Sequence, residues 1–128
     1  MPHFIVEYSA NLDGRADIQT LCEAIREQAL QTGFFEIGAI RVRAISCKNF
    51  AIADLDERNA FVHIKLRMGA GRSLDDKRSI GEAIFATASK QLKPLLDEPY
   101  FGLSFDIQEI DPQLSWKKNA MHPRLRGA

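Results

Sequence analysis

The second residue of the chain is a proline, Pro2, directly behind Met1. Small residues at this position, proline included, permit removal of an initiator methionine. A proline freed in this way carries a secondary amine, and it is the only kind of proline that can accept a proton. An ordinary α-amino group titrates at about 7.7–8.0. Burial and nearby cations disfavour the charged form and push that value down, which suits a general base working near neutral pH. While Met1 is attached, Pro2 is an amide and has no such chemistry. Met-Pro is also a common start in chains that do nothing with it. The position gains meaning only from the residues that stand with it.

Two other segments carry cations at places where a substrate could meet them. Gly69-Ala70-Gly71-Arg72-Ser73 falls where a strand turns into a helix. Its glycines allow a tight backbone, and the helix start offers unpaired N–H groups. Arg72 adds a planar fork that matches a carboxylate. The segment lacks the Gly-Lys-Ser/Thr ending of a phosphate-binding loop and the GxGxxG spacing of a dinucleotide site. Carboxylate binding is therefore favoured over phosphate binding, and a purely structural turn is the other reading. Arg41 and Arg43 lie in Gly38-Ala39-Ile40-Arg41-Val42-Arg43 and share one face of a predicted strand. There they meet either water, an ion pair or an anionic ligand.

The remaining reactive side chains form no pattern. Cys22 and Cys47 have no metal or redox spacing and read as reduced thiols, and His3, His63 and His122 are scattered. No metal and no cofactor is expected. Basic and acidic residues balance at 17 each, which argues against nucleic acid as a partner, because that needs a basic face. No apolar run approaches the roughly 18 to 20 residues of a membrane span. The start of the chain lacks the basic head and long apolar stretch of a secretory signal. The cytoplasm is therefore the expected location.

The elements that must position these residues follow from periodicity. At 128 residues the chain fits one domain with its own core. Strands are predicted over about 2–9, 37–46, 61–68 and 101–110. Helices are predicted over about 17–32 and 73–93, with a loop over 47–60 and an irregular tail over 111–128. Asp17 and Ser73 are the helix caps, and Gly33 terminates the first helix. Gly81 inside the second helix costs roughly 1 kcal/mol relative to alanine, which points to close packing there. Pro94 ends or kinks that helix.

The order strand, helix, strand occurs twice, over about 2–46 and 60–110. The copies share sequence: Gly14-Arg15 answers Gly71-Arg72, and Cys22-Glu23-Ala24-Ile25 answers Gly81-Glu82-Ala83-Ile84. The predicted fold is therefore α/β (α+β): two tandem βαβ units forming a four-stranded sheet with two helices on one face. In each of the later strands one face is apolar, as in Val62, Ile64, Leu66 and Met68. The opposite face, with His63, Lys65, Arg67, Arg41 and Arg43, is polar and basic. It either faces solvent or meets other subunits, because two helices cover only one side.

Four stretches together carry a family resemblance: Pro2-His3-Phe4-Ile5-Val6-Glu7, Gly38-Ala39-Ile40-Arg41-Val42-Arg43, Ala60-Phe61-Val62-His63 leading to Gly69-Ala70-Gly71-Arg72-Ser73-Leu74, and Leu103-Ser104-Phe105-Asp106-Ile107. No one of them is specific, but their order and spacing resemble the 5-carboxymethyl-2-hydroxymuconate isomerase family of the tautomerase superfamily. The resemblance spans nearly the whole chain and is weaker in the helices and in 47–59. It implies a cofactor-independent isomerase of homoprotocatechuate breakdown, acting on a dicarboxylate or tricarboxylate dienol. It implies a homotrimer with sites near subunit boundaries. It implies Pro2 as the catalytic base, with Arg41 and Arg72 as catalytic and substrate-binding arginines. Arg43 has a family counterpart and His3 lies beside the base, so both are candidates for a lesser part in binding. Two alternatives stay open: a tautomerase acting on another 2-hydroxydienoate or 2-oxo acid, and a non-catalytic trimer that binds carboxylates.

Overall fold

A computed structural model describes residues 1–127; residue 128 of the predicted tail lies outside them. Four strands, β1 (His3–Ser9), β2 (Arg41–Cys47), β3 (Ala60–Gly69) and β4 (Phe101–Ile110), form one sheet in the order β2-β1-β3-β4. β1 pairs parallel with β2, β3 pairs parallel with β4, and β1 and β3 meet antiparallel at the centre. These are the two expected βαβ units, joined through their first strands. Helix α1 (Ile18–Gln31) crosses over within the first unit and α2 (Leu74–Gln91) within the second.

The apolar faces make the core. Phe4 and Val6 of β1 and Val62, Ile64 and Leu66 of β3 are fully buried. They pack with Leu21, Ile25 and Ala29 of α1 and with Ile80, Ile84 and Ala88 of α2, so both helices lie on one face. Each large side chain buried this way contributes about 1.5–3 kcal/mol. The helix signals hold as read. The Asp17 carboxylate accepts from the Thr20 N–H at 3.0 Å, and the Ser73 hydroxyl accepts from the Asp76 N–H at 3.1 Å. Gly33 follows α1 at φ 79°, the left-handed conformation of a helix terminator. A Cβ on Gly81 would stand 3.5 Å from Ile107 and 3.6 Å from Phe105, which is the close packing of α2 on β4. Pro94 lies in the first turn of a separate short helix, α3 (Lys93–Leu96), a position that tolerates proline.

Two boundaries differ from the sequence reading, and both bear on the site. β2 starts at Arg41, not at 37, because Ile37–Ala39 closes into a 3-10 turn. Its partner β1 begins at His3, opposite Arg41, so residues 37–40 have no neighbouring strand to join. The tail is not wholly irregular. A 3-10 turn, Pro112–Leu114, follows β4, and a six-residue helix, α4 (Met121–Arg126), folds back onto the 37–39 turn.

Candidate active site

Pro2 is buried at the entry to β1, and its carbonyl accepts the Arg41 N–H at 3.2 Å. The start of β1, the start of β2, the end of β3 and the tail beyond β4 meet at this rim of the sheet. A cavity of about 600 Å³ opens here. Met1, His3, Gly69 and Ala70 line one part of it, and Ser115, Trp116, Lys117 and Lys118 line another.

The arginines are held by carbonyls. Arg41 Nη1 donates to the carbonyl oxygens of Gly38 at 3.1 Å and Ala39 at 2.7 Å. The 3-10 turn presents both acceptors, so the shorter β2 is what clamps this side chain. Arg72 Nη2 donates to the Phe34 carbonyl at 3.0 Å, and its guanidinium carbon lies 5.0 Å from the centre of the Phe35 ring. That distance is within cation–π range. Phe35 in turn meets Phe4 edge-on, at 6.3 Å between ring centres, which ties Arg72 to the core. Gly71 supplies φ 116° just before Arg72, a conformation that side chains with a Cβ rarely adopt. Among the described residues no carboxylate reaches ion-pair distance of Arg41 or Arg72. Their charge is fixed in place but not cancelled.

The electrostatic effect falls on the chain's amine. With Met1 in place, its terminal ammonium is pushed below the ordinary α-amino value, first by burial and then by Lys117, Arg41 and Arg72. His3 is lowered as well, first by burial, then by Arg43 and Arg41, the terminal amine and Arg67. Arg43 contacts the His3 ring nitrogen Nδ1 at 3.1 Å. Pro2, His3, Arg41, Arg72 and, through His3, Arg43 are thus brought together. Arg41 and Arg72 do not line the 600 Å³ cavity in the single chain. Arg41 instead borders a smaller hollow, about 310 Å³, between α1 and β2.

Sequence reasoning missed Lys117 as a site residue and read 111–128 only as an irregular tail. The segment lines the cavity at its own chain's start. The only signal for it was a pair of lysines beside a tryptophan. Phe34, Phe35 and Asn119, which brace Arg72 and the 37–39 turn, carried no signal either. A second groove, about 470 Å³ between α2 and β4, is lined by Lys77, Arg78, Glu82, Asp106 and Glu109. Its mixed charge does not select a polyanion. No cluster of metal-ligating side chains occurs among the described residues, and no described helix is long and apolar enough to cross a membrane.

Comparison with known proteins adds identity to this geometry. The family model described as 5-carboxymethyl-2-hydroxymuconate isomerase matches residues 2–125. The chain is 36% identical over 122 residues to 5-carboxymethyl-2-hydroxymuconate Delta-isomerase of Escherichia coli, covering 95% of this chain and 97% of that one. A crystal structure of a 5-carboxymethyl-2-hydroxymuconate isomerase from Deinococcus radiodurans R1 superposes with a TM-score of 0.91 at 35% identity, covering 98% and 94% of the two chains. The structure described as a fused 4-OT wild-type symmetric trimer shares the fold alone, at a TM-score of 0.60 and 22% identity, covering 91% and 93%.

Proposed function

The chain belongs to the 5-carboxymethyl-2-hydroxymuconate isomerase family, and from that premise we propose that it ketonises 5-carboxymethyl-2-hydroxymuconate, with Pro2 as the proton-transferring base once Met1 has been removed. The observation that carries the reading is that the chain's start borders a cavity lined also by Lys117, with Arg41 and Arg72 near enough to help lower the pKa of the terminal amine while Met1 is present. Cations at this spot keep an amine neutral and attract a polycarboxylate.

The step balances without a cofactor. The neutral amine takes the proton of the substrate's 2-hydroxyl. The oxygen's electrons form the C2=O bond, the C2=C3 pair shifts to C3=C4, and the C4=C5 pair takes up a proton at C5 from the same amine. The product is the conjugated 2-oxo-3-ene acid. Arg41 and Arg72 hold carboxylates, and one of them stabilises negative charge as it develops on the 2-oxo oxygen. A base positioned in this way contributes about 10²–10⁴ in rate. Arg43 and His3 border the site and shape it. We read the protein as a cytoplasmic homotrimer of homoprotocatechuate breakdown. The sheet face left bare by the helices, with Ile45 47% exposed on it, supports burial against other copies.

The deciding experiment follows the ultraviolet absorbance of 5-carboxymethyl-2-hydroxymuconate, using protein whose intact mass lacks Met1. Fast, saturable ketonisation supports the proposal. A rate no better than buffer overturns it.

A further inference from the structure

The segment 115–118, which lines the cavity, lies between a capped turn and a tethered tail. Upstream, the Asp111 carboxylate caps the 112–114 turn by accepting the Gln113 N–H at 2.9 Å. Downstream, Asn119 Nδ2 donates to the Gly38 carbonyl at 2.8 Å, and Arg126 pairs with Glu36. The same Gly38 oxygen accepts from Arg41, so one turn fixes both the tail and a site arginine. Lys117 is therefore carried on a wall of the cavity and not on a loose end. No carboxylate lies within ion-pair distance of it among the described residues. Lys117 is close enough to the Met1 amine to help lower that group's pKa, and both residues line the same cavity. Lys117 thus presents a positive charge to the cavity that a carboxylate entering it would meet.

The chemistry of the substrate says which anion. The proton arrives at C5, so C5 must approach the amine. C5 carries two acidic groups: the C6 carboxylate, coplanar with the diene, and the carboxymethyl arm, which rotates freely. The planar forks of Arg41 and Arg72 suit carboxylates attached to conjugated carbons. A lysine is a compact point charge on a flexible stem and suits the arm. Resting on the reaction proposed above, we infer that Lys117 binds the carboxymethyl carboxylate and gives the site its preference for a third acidic group on C5. Trp116 and Lys118 flank it on the same wall.

The test compares Lys117→Met and Lys117→Arg with the unaltered enzyme, each shown by mass to lack Met1. Two substrates are used: 5-carboxymethyl-2-hydroxymuconate and 2-hydroxymuconate, which lacks the arm. Loss of one charge-assisted contact lowers kcat/KM by roughly ten- to a hundredfold on the triacid. The loss on the diacid is at least tenfold smaller, and Lys117→Arg recovers most of the triacid rate. Equal losses on both substrates, or no loss on the triacid, overturn the inference. Binding is read separately by calorimetry with propane-1,2,3-tricarboxylate and with glutarate, its counterpart lacking one carboxylate. Lys117→Met weakens the tricarboxylate about tenfold more than glutarate, and equal weakening counts against Lys117. If the unaltered enzyme turns over neither substrate, the proposed reaction fails while the calorimetry still decides for or against a third-carboxylate site.

Discussion

Across the β1–β2 pair, the Arg43 guanidinium donates to Nδ1 of His3 at 3.1 Å. A guanidinium only donates, so Nδ1 is the accepting nitrogen and the ring carries its proton on Nε2. The contact thus sets both the tautomer and the charge of a residue beside the proposed base. Protonating His3 at Nδ1 would break the contact and add a cation among Arg43, Arg41, Arg67 and the terminal amine, the groups that already hold its pKa down.

His3 makes the fold acid-sensitive. Its native pKa lies below the ordinary 6.5. In the window just under 6.5 the unfolded chain therefore binds more protons than the native one, and stability falls as pH drops through that window. The thermal midpoint of the native protein declines from about pH 7 to about pH 5, and His3→Gln, which keeps an acceptor but cannot titrate, declines less. Parallel declines in the two proteins would remove His3 as the cause.

Pro2→Ala, processed to a free amine, keeps a base in place but loses the ring that fixes it. Turnover falls, by up to about 10²–10⁴ if proton transfer is wholly lost, while the oligomer seen by light scattering is unchanged. Full activity in the processed alanine variant would end the case for a catalytic proline.

Arg72→Lys keeps a positive charge and loses both the fork and the stacking on Phe35. The expected cost in kcat/KM is roughly tenfold or more, with Arg72→Ala costing more still. Arg72 is one of the cations that lower the pKa of the Met1 amine, and in the proposed mechanism it acts in the same way on the Pro2 amine once Met1 is gone. The rising limb of the alanine variant's pH–rate profile therefore moves to higher pH. A limb that stays where it was would mean that Arg72 does not act on the base.

Gly38→Ala tests the link between the tail and the site. A Cβ on Gly38 would lie 2.9 Å from His122 Nδ1 and 3.4 Å from the His122 backbone nitrogen. His122 itself stands 3.2 Å from the Glu36 carboxylate, outside hydrogen-bonding geometry. Overpacking of this kind costs about 1–3 kcal/mol, read by chemical denaturation. The cost shrinks in a His122→Ala background, since the two residues share the strain. Additive effects would show that they do not touch.

The fold was legible where local rules and tertiary packing agree. Caps at Asp17 and Ser73, a terminator at Gly33 and alternation along β3 are short-range signals, and each names its element. The start of β2 was not legible, because Ile37-Gly38-Ala39-Ile40 is as apolar as a strand. Only the absence of a β1 partner upstream of His3 turns it into a 3-10 turn. Arg41 and Arg72 could be picked out as forks near glycines, and the family resemblance joined them to Pro2. Lys117 could not be found this way. Its place depends on contacts that span 81 and 90 residues, and no local pattern announces a tail that returns to the chain's own beginning.

Those contacts also set the order in which the molecule comes apart. Neither the 112–114 turn nor α4 contributes a fully buried residue, so the tail is held largely by Asn119, Arg126 and their partners at the surface. A segment with little buried apolar surface opens at a free energy below that of global unfolding. When it opens, the Lys117 wall leaves the cavity and the Gly38 turn that clamps Arg41 loses its brace. With Lys117 and Arg41 acting as proposed, competence for chemistry is a separate and weaker equilibrium than the native sheet, and the expected outcome of mild warming is loss of activity while the circular dichroism remains that of the folded protein.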